Sequence, residues 1–173
     1  MTDPTPSETK NLDIYGAGAM PWSRAAEALT GTLGPEVACF LSTVRPDGRP
    51  HAAGIGVAVH EGALFFTSGP GTRKSRNLAA NPACTISLRL DGIDLVVEGE
   101  ARRVTDAATL ETVAALFRDG GWPAEVAGDA FTAPFSAQSA GPPPWHLFRM
   151  PFGTAFGVGL REPFGASRWT FAT

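Results

Sequence analysis

Three turns in the middle of the chain are too tight to join anything but antiparallel strands. Pro46-Asp47-Gly48 reverses a strand-forming run over residues 37–44 into a second over 49–59. His60-Glu61-Gly62 turns that second run into a third over 63–67, and Asp91-Gly92 joins 83–90 to 93–104. A parallel crossover takes a dozen residues or more, which none of these turns has. Residues 83–90 alternate strictly, with Cys84, Ile86, Leu88 and Leu90 on one face and Thr85, Ser87 and Arg89 on the other. With closing strands over 145–160 and 167–171, the reading is about seven strands and two or three short helices. That makes the chain mainly β (α+β), an antiparallel barrel closed or nearly so.

The helices announce themselves by their caps. Ser23 precedes a short one over 24–29, Thr72 one running to about 80, where Asn81-Pro82 ends it, and Asp106 one over 107–118. In the last, Leu110, Val113, Leu116 and Phe117 keep helical spacing. Residues 1–20 are polar and aperiodic and read as a flexible leader; 21–173 read as a single domain. A Pro/Gly/Ala-rich loop over 120–144 is long enough to predict a functional role, that of shaping a substrate pocket.

Charge and composition exclude several classes. A net charge of −3 is wrong for a nucleic-acid binder. No apolar run approaches the roughly 18–20 residues of a membrane span, and residues 1–10 lack a secretory apolar region. The expectation is a cytoplasmic protein with no membrane partner. Cys39 and Cys84 each sit in a strand-like run and read as buried free thiols. The three histidines, His51, His60 and His146, are scattered, so no metal is expected.

The chemistry concentrates in residues 65–78. A strand ending Phe66-Thr67-Ser68 meets a Gly69-Pro70-Gly71 turn, and the helix it opens carries Arg73 and Lys74 in its first turn. Unpaired N–H groups at a helix start, two cations and the Thr67, Ser68 and Thr72 hydroxyls make a competent phosphate cradle. The spacing is not that of a Walker loop. The same cations would serve equally well to solvate an exposed helix, although cations at a helix N-terminus oppose its dipole. Lys74 is one of only two lysines beside twelve arginines.

A second clue is a bare strip. Ala52, Gly54, Gly56 and Ala58 share one face of the 49–59 run, while Ala53, Ile55, Val57 and Val59 take the other. Such a strip admits a flat ring or, more readily, a neighbouring strand or subunit. Trp22, Phe135, Trp145 and Trp169 lie outside the central strands and would line either a pocket or the core. No spacing supports nucleophilic catalysis, and His51 is the one acid–base group near the strip.

Residues 40–51, the Lys74-Ser75-Arg76-Asn77-Leu78-Ala79-Ala80-Asn81-Pro82 element and Val97-Glu98-Gly99-Glu100-Ala101 resemble the pyridoxamine 5′-phosphate oxidase-like family of flavin-binding split barrels. The likeness covers residues 35–106, and the 145–171 segment is similar to actinobacterial members. The resemblance implies a split β-barrel that forms a homodimer with FMN at the subunit interface. By position it implies cofactor contacts from Ala53, Gly54, Ile55 and Gly56, from the strand end at Phe66, Thr67 and Ser68, from Thr72, Arg73 and Lys74, and from Trp169. Asp94 stands where the oxidases place a flavin-contacting glutamine. The Arg-x-His that holds substrate phosphate is replaced by Ser167-Arg168-Trp169, and no lysine ends the second strand, so pyridoxal phosphate synthesis is not expected. Some relatives bind the deazaflavin coenzyme F-420 in place of FMN, and others bind haem or have lost catalysis. The expected function is hydride transfer between bound FMN, or F-420, and a small organic substrate. The alternative is a flavin or haem carrier without turnover.

Overall fold

A computed structural model describes residues 4–135 and 140–172. The strands are β1 (Glu8–Asn11), β2 (Gly31–Thr32), β3 (Ala38–Val44), β4 (Pro50–Gly54), β5 (Ala58–His60), β6 (Ala63–Ser68), β7 (Ala83–Leu90), β8 (Ile93–Glu100), β9 (Arg102–Val104), β10 (Glu125–Ala127), β11 (Ala130–Thr132), β12 (His146–Pro151), β13 (Thr154–Gly159) and β14 (Ala166–Thr170). The helices are α1 (Ser23–Ala26), α2 (Arg73–Ala80) and α3 (Ala107–Asp119). Strand order is β1-β14-β13-β8-β7-β3-β4 in one sheet and β2-β5-β6-β12-β9 in the other, with β10-β11 a separate hairpin. Every named pairing is antiparallel, and neither sheet closes on itself, which is a split barrel.

Alternation sets what each face of the large sheet does. One cross-strand row runs Ala53, Leu41, Ile86, Val97, Ala155 and Trp169. From Leu41 to Trp169 every member is fully buried. Each large apolar side chain so placed contributes about 1.5–3 kcal/mol. The adjacent row runs Gly54, Phe40, Ser87, Val96, Phe156 and Arg168 on the outer face. There Phe40 remains 51% exposed. A second apolar cluster, with Phe65, Val104, Leu110, Val113, Phe117 and Leu147, lies under α3.

Three long sequence runs bend from one sheet to the other. The 49–59 run breaks after Gly54, so β4 closes the edge of the large sheet while β5 joins the small one. The 93–104 run breaks at Ala101 and the 145–160 run at Phe152-Gly153. Glycine makes the crossing possible: a Cβ on Gly99 would lie 2.8 Å from the Pro151 carbonyl, and one on Gly153 2.9 Å from that of Glu98.

Other expectations need correcting. The leader is not wholly loose: Glu8–Asn11 pairs with β14 through backbone bonds and a Glu8–Arg168 ion pair, with all four residues exposed and so without an apolar period to read. Ser23 does not cap α1; Trp22 occupies that position and no side chain bonds the helix start. The 120–144 loop carries the β10–β11 hairpin, and Phe131 exchanges backbone bonds with Trp145. Residues 136–139 of it lie outside the described residues. α2 and α3 start at the expected caps, where Thr72 accepts from the Ser75 amide and Asp106 from that of Thr109. Among the described residues no helix is long and apolar enough to cross a membrane.

Candidate functional site

The turn between β6 and α2 is held by its own hydroxyls. Ser75 Oγ donates to Ser68 Oγ at 2.7 Å, and the Ser68 and Thr72 hydroxyls meet at 2.7 Å. Ser75 also reaches the Gly69 carbonyl at 2.8 Å. Gly69 is required, because a Cβ there would collide with the Ala140 carbonyl oxygen. Ser68 is fully buried. Ser68 and Thr72, read as phosphate ligands, therefore have their side chains engaged in shaping the turn that presents α2. Phe66 is likewise buried, its ring stacked on Phe148 at 5.4 Å and 7°. Thr67 is half-buried on the opposite side of β6.

α2 lies against the inner face of β3 beside β4. Asn77 Nδ2 donates to Thr43 Oγ1 at 2.9 Å, and Thr43 Oγ1 donates to the His51 carbonyl at 3.4 Å, which ties the edge strand to the helix. Thr43 and Asn77 are 2% and 1% exposed. Burial pushes the His51 imidazole below its usual range, and the facing cations Arg45, Arg73 and Lys74 push it further. Lys74 is itself 3% exposed, and burial lowers its ammonium as well. Arg73 is exposed, and neither it nor Arg45 has a carboxylate at ion-pair distance among the described residues. Three buried polar atoms here have no partner: His51 Nδ1, Arg45 Nε and Asn77 Oδ1. Leaving such atoms unpaired costs about 1–3 kcal/mol each.

The bare strip lies alongside. Gly54 and Gly56 are exposed, and a Cβ on either would touch nothing within 4 Å. Ala53 and Ile55 are half-buried on the other side. Ala58 leaves the strip, because the bend at residues 55–57 breaks the alternation and buries it completely. β4 also ends the sheet, so its outer backbone groups have no strand beside them.

Trp169 is not brought to this place. It is fully buried, its indole donates to the Met20 carbonyl at 3.2 Å, and its ring meets Trp22 edge-on at 5.3 Å. β14 lies five strands from β4 in the sheet, about 24 Å at usual strand spacing. Asp94, at the glutamine position of the oxidases, is bound to Arg89 at 2.7 Å on the outer face, which holds its carboxyl below the usual range. Thr43, Arg45 and Asn77 escaped sequence reasoning. Asn77 follows Arg73 by four residues on one helix face, and Arg45 directly precedes the Pro46 turn; those were the available signals. A cavity of about 880 Å³ lined by Met20, Arg24 and Phe164 lies away from these groups.

A family model described as pyridoxamine 5′-phosphate oxidase matches residues 26–156, spanning both halves of the split barrel and the whole site. The chain belongs to the pyridoxamine 5′-phosphate oxidase family. Solved structures agree on this fold. A pyridoxamine 5′-phosphate oxidase-related, FMN-binding protein from Nostoc punctiforme is 17% identical, with 85% of this chain and 88% of that one covered at a TM-score of 0.56. A NimC/NimA family protein from Clostridium acetobutylicum is 17% identical over 85% and 92% of the two chains, TM-score 0.53. An F-420 reductase is 24% identical over 75% and 93%, TM-score 0.50. No curated protein matches the chain. In this member of the pyridoxamine 5′-phosphate oxidase family, Arg73 and Lys74 stand at the start of α2 near the open strip, and Trp169 lies in the core.

Proposed function

We propose that the protein is a homodimeric oxidoreductase that binds FMN and moves hydride to or from a small organic substrate. The observation that carries this is the convergence of Arg45, Arg73 and Lys74 on His51 beside the solvent-open glycine strip of β4. The residues fit a phosphorylated flavin: guanidinium and ammonium groups for the phosphate and a side-chain-free edge for the ring. Bound flavin supplies the hydride chemistry. Arg45, Arg73 and Lys74 hold the phosphate, and the Gly69 turn sets the start of α2. Gly54 and Gly56 leave the ring room, and the row beneath them keeps β4 in place. F-420 is the alternative cofactor on the same site.

The outer face of the large sheet supports self-association. Phe40 and Val158 are each 51% exposed, and Val96 and Phe156 lie between them. An apolar stripe of this kind suits a face covered by a second copy.

The experiment is a fluorescence titration of the protein with FMN and with F-420, repeated on Arg73→Ala, with molecular mass measured alongside. Binding of one cofactor that weakens at least tenfold in the variant sustains the reading; binding of neither overturns it. Turnover with the reduced cofactor then separates an enzyme from a carrier.

A further inference from the structure

We propose that His51 selects the charge state of the cofactor's phosphate, taking up a proton when a terminal phosphate monoester binds and so favouring it over a phosphodiester. The inference rests on the flavin reading and names which phosphate the site takes.

The geometry begins with what surrounds the imidazole. From the β3–β4 turn comes Arg45, from α2 come Arg73 and Lys74, and these three cations are the charged groups that act on it. From beneath, Thr43 donates to the His51 carbonyl and Asn77 donates to Thr43, and neither brings charge. The ring's Nδ1 is buried without a partner, and Asn77 Oδ1 and Arg45 Nε are in the same condition. Burial, and after it the charges of Arg45, Arg73 and Lys74, disfavour imidazolium in the ligand-free protein.

A bound anion reverses that balance according to its charge. A phosphodiester carries one negative charge and offsets less of the charge of the three cations, so His51 stays neutral. A phosphate monoester near pH 7 carries about 1.5–2 negative charges, with a second pKa of about 6. That extra charge favours imidazolium. The step is proton uptake from solvent alone. No bond between heavy atoms is made or broken.

The sign follows by linkage. The complex binds one proton more than the separated partners, so affinity rises as pH falls from about 8.5 towards 6.5. Below about 6 the free monoester loses its second charge and the gain levels off.

The test is calorimetric titration with FMN and with the methyl ester of FMN, which keeps the ring and loses one charge. Each is run at pH 6.5 and 8.5 in buffers of different ionisation enthalpy, on the native protein and on His51→Gln. Expected for the native protein is FMN binding about tenfold tighter at pH 6.5, with net proton uptake, and methyl-ester binding that changes less than twofold. His51→Gln should still bind FMN, with the slope and the proton uptake gone. FMN binding with no proton uptake, or an unchanged slope in His51→Gln, overturns the assignment while leaving the flavin reading intact. Failure of the native protein to bind either compound overturns both. If His51→Gln does not fold, the imidazole resonances of the native protein followed by NMR with each compound decide: movement towards imidazolium with FMN alone supports the assignment, and equal movement with both removes it.

Discussion

On the sheet surfaces six arginines each sit 2.6–3.2 Å from a carboxylate: Arg49 with Asp47, Arg89 with Asp94, Arg102 with Glu100, Arg103 with Asp129, Arg161 with Asp91 and Arg168 with Glu8. At the start of α2 the arrangement differs. Arg45 and Arg73 have no such neighbour among the described residues, and with Lys74 they face a histidine. The first set is neutralised within the chain and is mostly exposed, where an ion pair contributes little. The second concentrates positive charge around His51, an arrangement that suits an incoming anion. Composition does not distinguish the two sets, since arginine dominates both. What separates them is where the carboxylates are.

Several experiments press on that difference. The largest effect should come from filling the strip: Gly54→Leu is expected to abolish flavin binding while leaving thermal unfolding nearly unchanged, because its Cβ enters open space. Loss of binding with a collapsed Tm would instead mark Gly54 as structural. Next, Arg73→Ala should weaken binding about tenfold or more, since a charge-assisted contact contributes about 1.5–3 kcal/mol. Its exposed position means that stability should hold, and circular dichroism checks this.

A third test asks whether the sheet behind the site is dry. Burial pushes the Cys39 and Cys84 thiols up to about 11 from 9.0. In the unfolded chain they ionise first, so this part of the stability is complete below about pH 9 and is lost as pH rises towards 11. Native protein at pH 8 should accordingly resist an alkylating reagent that labels both thiols in denaturant. The smallest effect is expected at Arg102→Ala, which breaks an exposed pair on the small sheet. It should move neither Tm nor flavin affinity, and a clear loss of affinity would erase the contrast between the two sets of arginines.

Much of this was legible in the sequence, for identifiable reasons. The hairpin turns, the alternation of Cys84, Ile86, Leu88 and Leu90, and the caps Thr72 and Asp106 are local signals that tertiary context reinforced. Arg73 and Lys74 were visible because a helix start beside a glycine turn is itself local. The bends at 55–57 and 101 were not visible, because a strand that changes sheet keeps its apolar character while losing its parity. Trp169 misled for a related reason. An aromatic near the chain's end shows no sign of whether its indole faces a ligand or, as here, the Met20 carbonyl. Arg45 and Asn77 join the cluster only through the β3–β4 pairing and the docking of α2, contacts distant in sequence.

An unflanked strand with little side chain on it also has a colloidal consequence. Residues 52–54 of β4 present backbone donors and acceptors with no lysine and no bulge to deter another strand, and Pro50 blunts only one end. Ligand-free protein is therefore at risk of adding strands from its neighbours, and flavin lying along that edge would act as a chaperone for it. Light scattering during storage should rise in the cofactor-free preparation and fall when FMN is supplied, so that solubility becomes a second, independent report on occupancy.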